Sequence, residues 1–104
     1  MPHFRVRPLA WREINVHLDY LEEHAGLETA EHFLDQLMSS FQALADMPRM
    51  GALVVFRKPS ISRLRHWPMK EFENWLIFYH AKRYGVEIVH VIHGARDIEA
   101  VLKK

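Results

Sequence analysis

The chain has 104 residues, 49% of them hydrophobic, and a formal charge of +1. A chain of that size buries roughly two-thirds of its unfolded surface around one core, so a single domain over residues 1–104 is expected. It contains no cysteine, which excludes disulfide stapling and cysteine-ligated zinc and fits a reducing cytoplasm.

The small net charge conceals an asymmetry. Residues 1–48 carry three basic side chains against eight acidic ones, and residues 49–104 carry eleven basic against five acidic. The second half is expected to attract anions, whether the acidic first half of its own fold or a separate anionic partner. The first residues, MPHFRVRP, lack the apolar core of a signal peptide. The longest apolar run, Trp75 to Tyr79, falls far short of the ~20 residues that span a bilayer. A soluble, cytoplasmic protein without membrane contact is therefore expected.

In chain order, Phe4 and Val6 alternate with His3, Arg5 and Arg7, which predicts a short edge strand with one apolar face, stopped by Pro8. From Leu9 to about Ala25, Trp11, Ile14, Leu18, Leu21 and Ala25 recur at helical spacing, and Gly26 stands where a left-handed cap ends a helix. A second helix is expected from about Thr29 to Met47. Its broad apolar stripe is Ala30, Phe33, Leu34, Leu37, Met38, Phe41, Leu44 and Ala45, and Pro48 and Gly51 break it. So short a connection makes an antiparallel helix hairpin, whose apolar face needs cover from the strands that follow.

Residues 48–60 hold two prolines and a glycine around an apolar run, a loop with at most a short extended piece. Ile61 to Trp67 is the next expected strand, with Ile61, Arg63, Arg65 and Trp67 on one side and Ser62, Leu64 and His66 on the other. Two arginines on one face argue against that face being core. Pro68 to Glu73 then makes the turn. Trp75 to Ala81 and Val86 to His93 are rich in β-branched and aromatic residues and flank the turn-prone Lys82, Arg83, Tyr84 and Gly85, the pattern of an antiparallel hairpin. Gly94 lets the chain leave the sheet, delivering Arg96 and Asp97 at its end, and Asp97 to Leu102 suits a last helical turn.

Taken together, this order of elements resembles the RelE/ParE superfamily of bacterial toxins. The resemblance runs through Ala10, Glu13, Ile14, Tyr20 and Leu21 in the first helix, Leu44, Pro48 and Gly51 after the second, and Leu64 and Arg65. It is most specific in the strings LIFYH and VIHGARD, the latter similar to the ParE branch. The implied fold is α+β: an N-terminal edge strand and an antiparallel two-helix hairpin packed on a small antiparallel β-sheet. The implied function is the toxin of a type II toxin-antitoxin pair. Its implied partners are a cognate ParD-like antitoxin, of ribbon-helix-helix or similar type, and DNA gyrase as the target. DNA is contacted only through the antitoxin complex, and no small-molecule substrate or cofactor is implied.

RelE-like relatives instead cut messenger RNA on the ribosome, which requires an activated 2′-hydroxyl, a stabilised phosphate and a protonated leaving oxygen. Many keep a tyrosine or histidine near the C-terminus for that proton transfer. The tail after Arg96, DIEAVLKK, has neither, so the resemblance favours gyrase binding without catalytic residues. Messenger RNA cleavage is the alternative, and an inactive, complex-forming member is a third reading.

The candidate target-binding residues are Arg63, Arg65, His93 and Arg96, and the candidate antitoxin-binding residues are Arg63, Arg65 and Lys82. Each has a plainer rival: a solvated strand face for the two arginines, a structural histidine at the Gly94 turn, and an Arg96 paired with Asp97 or capping the last turn. Trp11, Trp67 and Trp75 suit core or interface anchors better than stacking platforms. No metal site is expected, because His90 and His93, three apart on a strand, should face opposite sides.

Overall fold

The computed structural model describes residues 1–54 and 63–94. Strand β1 (His3–Val6) turns Phe4 and Val6 inward and His3 and Arg5 outward, as the alternation predicts. Pro8 does more than end it. Helix α1 (Pro8–Ala25) begins on that proline, whose missing N–H would have no partner in a first turn anyway. One residue, Gly26, joins α1 to α2 (Leu27–Asp46). Its N–H donates to Glu22 O at 3.2 Å and its carbonyl accepts from Ala30 N at 3.2 Å, so it closes one helix and opens the next. Gly26 has the positive φ expected of a cap, but φ 93° with ψ 160° is the glycine-only extended region rather than the left-handed helical one.

The α2 stripe is as the spacing predicts: Ala30, Phe33, Leu37, Phe41, Leu44 and Ala45 are all buried. Fully burying each phenylalanine or leucine contributes about 1.5–3 kcal/mol. In α1 the buried positions are Ala10, Ile14 and Leu21, with Leu18 packed at the margin. Trp11 and Ala25, expected on that face, are exposed.

The remaining strands are β2 (Ala52–Leu53), β3 (Arg65–Met69), β4 (Phe72–Lys82) and β5 (Gly85–His93). They form one sheet in the order β1-β5-β4-β3-β2. The pairs β2–β3, β3–β4 and β4–β5 are antiparallel, as expected, but β1 lies parallel to β5, so the sheet is mixed. β3 starts later than predicted and continues through Pro68 to a two-residue turn at Lys70 and Glu71. Glu71 takes φ 65° there, and Lys70 N–H donates to the buried Ser40 Oγ at 3.1 Å.

Both faces of the sheet are buried. On the helix side Met69, Ile77, Tyr79, Val86, Ile88 and Val91 meet the two helices, while Leu64, Phe78, Val89 and Ile92 form a second cluster on the opposite face. Between β4 and β5 the register shifts where Phe78 pairs with His90 and Tyr79 with Ile88, leaving Val89 as the extra residue. That bulge is why Ile88 and Val91, three apart, both reach the helix side. The expectation that Arg65 shares a face with Trp67 holds, but that face is the core side: Trp67 packs against the main cluster and Arg65 is half-buried. Among the described residues no helix is long and apolar enough to cross a membrane.

Candidate binding groove

A cation-rich groove of about 750 Å³ opens where β1 ends, β3 begins and β4 finishes. Arg7 follows β1, Arg49 lies in the loop after α2, Arg63 and Arg65 stand at the start of β3, and His80, Ala81 and Lys82 close β4, with Leu53 of β2 beside them. Sequence distance gives no hint of this meeting. It depends on two side chains, one buried and one half-buried, that clamp the 48–51 loop onto the sheet.

Tyr79 is the first. Its side chain is fully buried, and its hydroxyl donates to Pro48 O at 2.8 Å while accepting from Gly51 N–H at 2.8 Å. Burial pushes its pKa up, against the opposing effects of the Gly51 hydrogen bond and the Arg65 charge, so the hydroxyl keeps its proton. Arg65 is the second: its guanidinium donates to Gly51 O at 2.7 Å and Arg49 O at 3.3 Å. A β-carbon on Gly51 would stand 2.5 Å from the Tyr79 hydroxyl, so a residue without a side chain is required at that approach.

Glu87 is the carboxylate beside these cations. It accepts from Arg7 Nη2 at 2.9 Å and lies 3.9 Å from Lys82 Nζ. The Arg7 hydrogen bond, reinforced by the Arg7 and Lys82 charges, holds its pKa below the ordinary carboxylate value despite some burial. His80 is shifted down from the usual imidazole value, first by burial and then by Arg7 and Lys82. A hydrogen bond to the Arg63 carbonyl and the Glu87 charge oppose the shift only partly. The imidazole is therefore neutral near pH 7. Arg49 and Arg63 make no ion pair among the described residues.

Of the residues singled out from sequence, Arg63, Arg65 and Lys82 line this groove. His93 does not. It sits at the far end of β5 with its ring edge-on to Trp75, centroids 4.6 Å apart. At about 3.3 Å per residue, the run from Trp75 to His80, where the groove begins on β4, puts it roughly 17 Å away. Arg96, Asp97 and the expected last helical turn lie outside the described residues, as does Ile61. Sequence reasoning passed over Arg7, Arg49 and His80.

It also passed over a second constellation on the outer edge of β5, where β1 stops short. Glu13 Oε1 accepts from Val91 N–H at 3.0 Å and Oε2 meets His90 Nδ1 at 2.9 Å, while His17 Nε2 donates to Val91 O at 2.7 Å. Two side chains one helical turn apart thus take the place of a neighbouring strand and cover an edge that would otherwise be open. The four-residue spacing of Glu13 and His17 was the available signal. His90 pairs with Phe78 of the outer cluster and His93 with Trp75 of the helix-side cluster, so the two histidines face opposite sides, as their three-residue spacing predicts. Among the described residues no cluster of histidine and acidic side chains could hold a metal ion.

Over residues 4–98 the sequence matches the profile of the ParE toxin of the type II toxin-antitoxin system parDE. The chain belongs to the ParE toxin family. None of the curated proteins matches it in sequence. Among solved structures, it is similar to a chain of a chromosomal ParDE toxin-antitoxin system from P. aeruginosa. The TM-score is 0.71 and the identity 14%, over 89% of this chain and 96% of that one. At that identity the likeness carries the fold alone: the α+β arrangement with an N-terminal edge strand and a helix hairpin is ParE-like.

Proposed function

We propose that this ParE-family toxin acts in the cytoplasm by binding DNA gyrase, and that a ParD-like antitoxin neutralises it by laying an acidic segment along the groove. The observation that carries this reading is the imbalance of charge there: Arg7, Arg49, Arg63, Arg65 and Lys82 line the groove, and Glu87, held by Arg7 and near Lys82, is the carboxylate beside them. Such a surface suits an acidic protein partner, with long-range attraction speeding encounter and paired charges fixing register. Gyrase poisoning by binding requires a complementary surface and no proton transfer, in keeping with a tail, DIEAVLKK, that has no tyrosine or histidine.

A second reading, messenger RNA cleavage, draws on His80. A neutral imidazole among arginines is a chemically suitable base for a 2′-hydroxyl beside a bound phosphate. One pair of assays separates the two. Purified toxin should inhibit ATP-dependent supercoiling by gyrase and be relieved by the product of a neighbouring ribbon-helix-helix gene, while leaving messages intact on translating ribosomes. Site-specific message cleavage with gyrase unaffected would replace the first reading by the second.

A further inference from the structure

A second groove, of about 680 Å³, adjoins the basic one and shares Arg49, Ala81 and Lys82 with it. Its remaining wall is Met47, Pro48, Met50 and Arg83, and Met47 is 62% exposed. One continuous depression is therefore apolar on one side and cationic on the other. We propose that it binds a protein segment bearing a bulky apolar side chain next to carboxylates, the apolar group covering Met47 and Met50, the carboxylates meeting Arg49 and Arg63, and His80 making the contact proton-dependent.

Charge and surface chemistry choose this occupant. Arg65 is committed to the loop carbonyls, and Arg7 and Lys82 share Glu87. Arg49 and Arg63, without ion pairs among the described residues, are the two forks free to hold a carboxylate in bidentate fashion. A nucleic acid strand would meet the same cations, but single-strand binders add aromatic faces on which bases stack, and methionine and proline offer none. The neighbouring aromatic, Tyr84, already stacks on His3 at 4.8 Å and carries Arg5 at 4.7 Å from its ring centroid. Methionine, in contrast, is an adaptable apolar surface for a docking side chain.

His80 sits between the two halves of the charge problem. Facing it are Arg7 from the end of β1, Lys82 of its own strand, Glu87 of β5, and Arg63 ahead of β3, whose carbonyl takes a ring N–H. Arg49 and Arg65 line the same groove. Without a partner the cations and burial favour the neutral ring. An arriving carboxylate offsets those cations and favours the imidazolium, so a proton is taken up on binding. Affinity then rises as pH falls from about 8 to about 5.5, by on the order of tenfold for each unit by which binding raises the imidazole pKa. Glutamates of the segment stay ionised over that range.

The natural partner rests on the toxin-antitoxin reading, but the test uses defined probes on the full chain. Calorimetry is run with a short capped peptide of leucine and glutamate, with its glutamine counterpart, and with oligothymidylate. The glutamate peptide should bind with proton uptake, read from the dependence of the heat on buffer ionisation. His80→Gln should bind it without that uptake, the pair Arg49→Ala and Arg63→Ala should lose tenfold or more, and Met47→Ser with Met50→Ser should weaken it further. Thermal melts confirm that each variant is folded. Equal binding of the glutamine peptide, tighter binding of oligothymidylate, or proton uptake that persists in His80→Gln overturns the proposal. Peptide binding alongside unimpaired gyrase refutes the gyrase reading alone, and gyrase inhibition without peptide binding refutes the groove proposal alone.

Discussion

Replacing Tyr79 by phenylalanine removes one oxygen atom and, with it, both hydrogen bonds that the tyrosine makes to the 48–51 loop. The ring remains in the core, so no cavity larger than the hydroxyl is created. What is lost is the donor to Pro48 O and the acceptor for Gly51 N–H, each at 2.8 Å, and the Gly51 amide is buried. A buried group left without a partner costs about 1–3 kcal/mol. Two such groups set an upper value near 6 kcal/mol. The hydroxyl no longer has to be desolvated, and Arg65 still holds Gly51 O at 2.7 Å, which brings the expected loss to about 2–3 kcal/mol. For a domain of this size that lowers the melting temperature by roughly 8–20 °C. Urea titration with unchanged slope measures the loss. Amide exchange should show residues 48–51 opening well before the β4–β5 pair. Because Arg49 rides on that loop, affinity for the antitoxin should fall although no charge has changed. Loss of less than about 0.5 kcal/mol, within the range of ordinary surface substitutions, would show that the clamp does not hold the groove together.

Glu13→Ala strips the acceptor from Val91 N–H and the partner from His90; a loss of about 1–3 kcal/mol is expected, with concentration-dependent self-association of the opened β5 edge read by sedimentation. Gly26→Ala meets no atom within 4 Å, so its cost is backbone strain alone, of order 1–3 kcal/mol, measured by urea unfolding. Raised in the fold by burial, the Tyr79 pKa contributes stability that is complete below the ordinary tyrosine value and fades as pH climbs through the folded one. Alkaline melts of the native chain should therefore decline more steeply than those of Tyr79→Phe. His80 works in the opposite sense in the free protein: its folded pKa is depressed, so falling pH through the imidazole range destabilises the chain. His80→Gln should flatten that limb of the melting profile.

The sequence by itself determined the elements whose signals are local. Helical spacing marked α1 and α2, Gly26 marked their junction, and apolar, β-branched runs around Lys82–Gly85 marked the β4–β5 hairpin, because each pattern is written within a few turns or one strand length. The ParE-like family was legible for the same reason, carried by the strings LIFYH and VIHGARD. Tertiary structure alone decided what those elements bring together. The parallel seat of β1 beside β5 follows from how the helix hairpin packs across the sheet, and it places Arg7 against Glu87, 80 residues away. The Val89 bulge, a property of a pair of strands rather than of either one, brings both Ile88 and Val91 to the helix side. Arg49 joins Arg7, Arg63 and His80 in the groove because a buried tyrosine, together with Arg65, holds a loop that its own sequence leaves unfixed. Local periodicity sets which face of an element is apolar, whereas the neighbours that a charged side chain meets are set by packing across the whole chain.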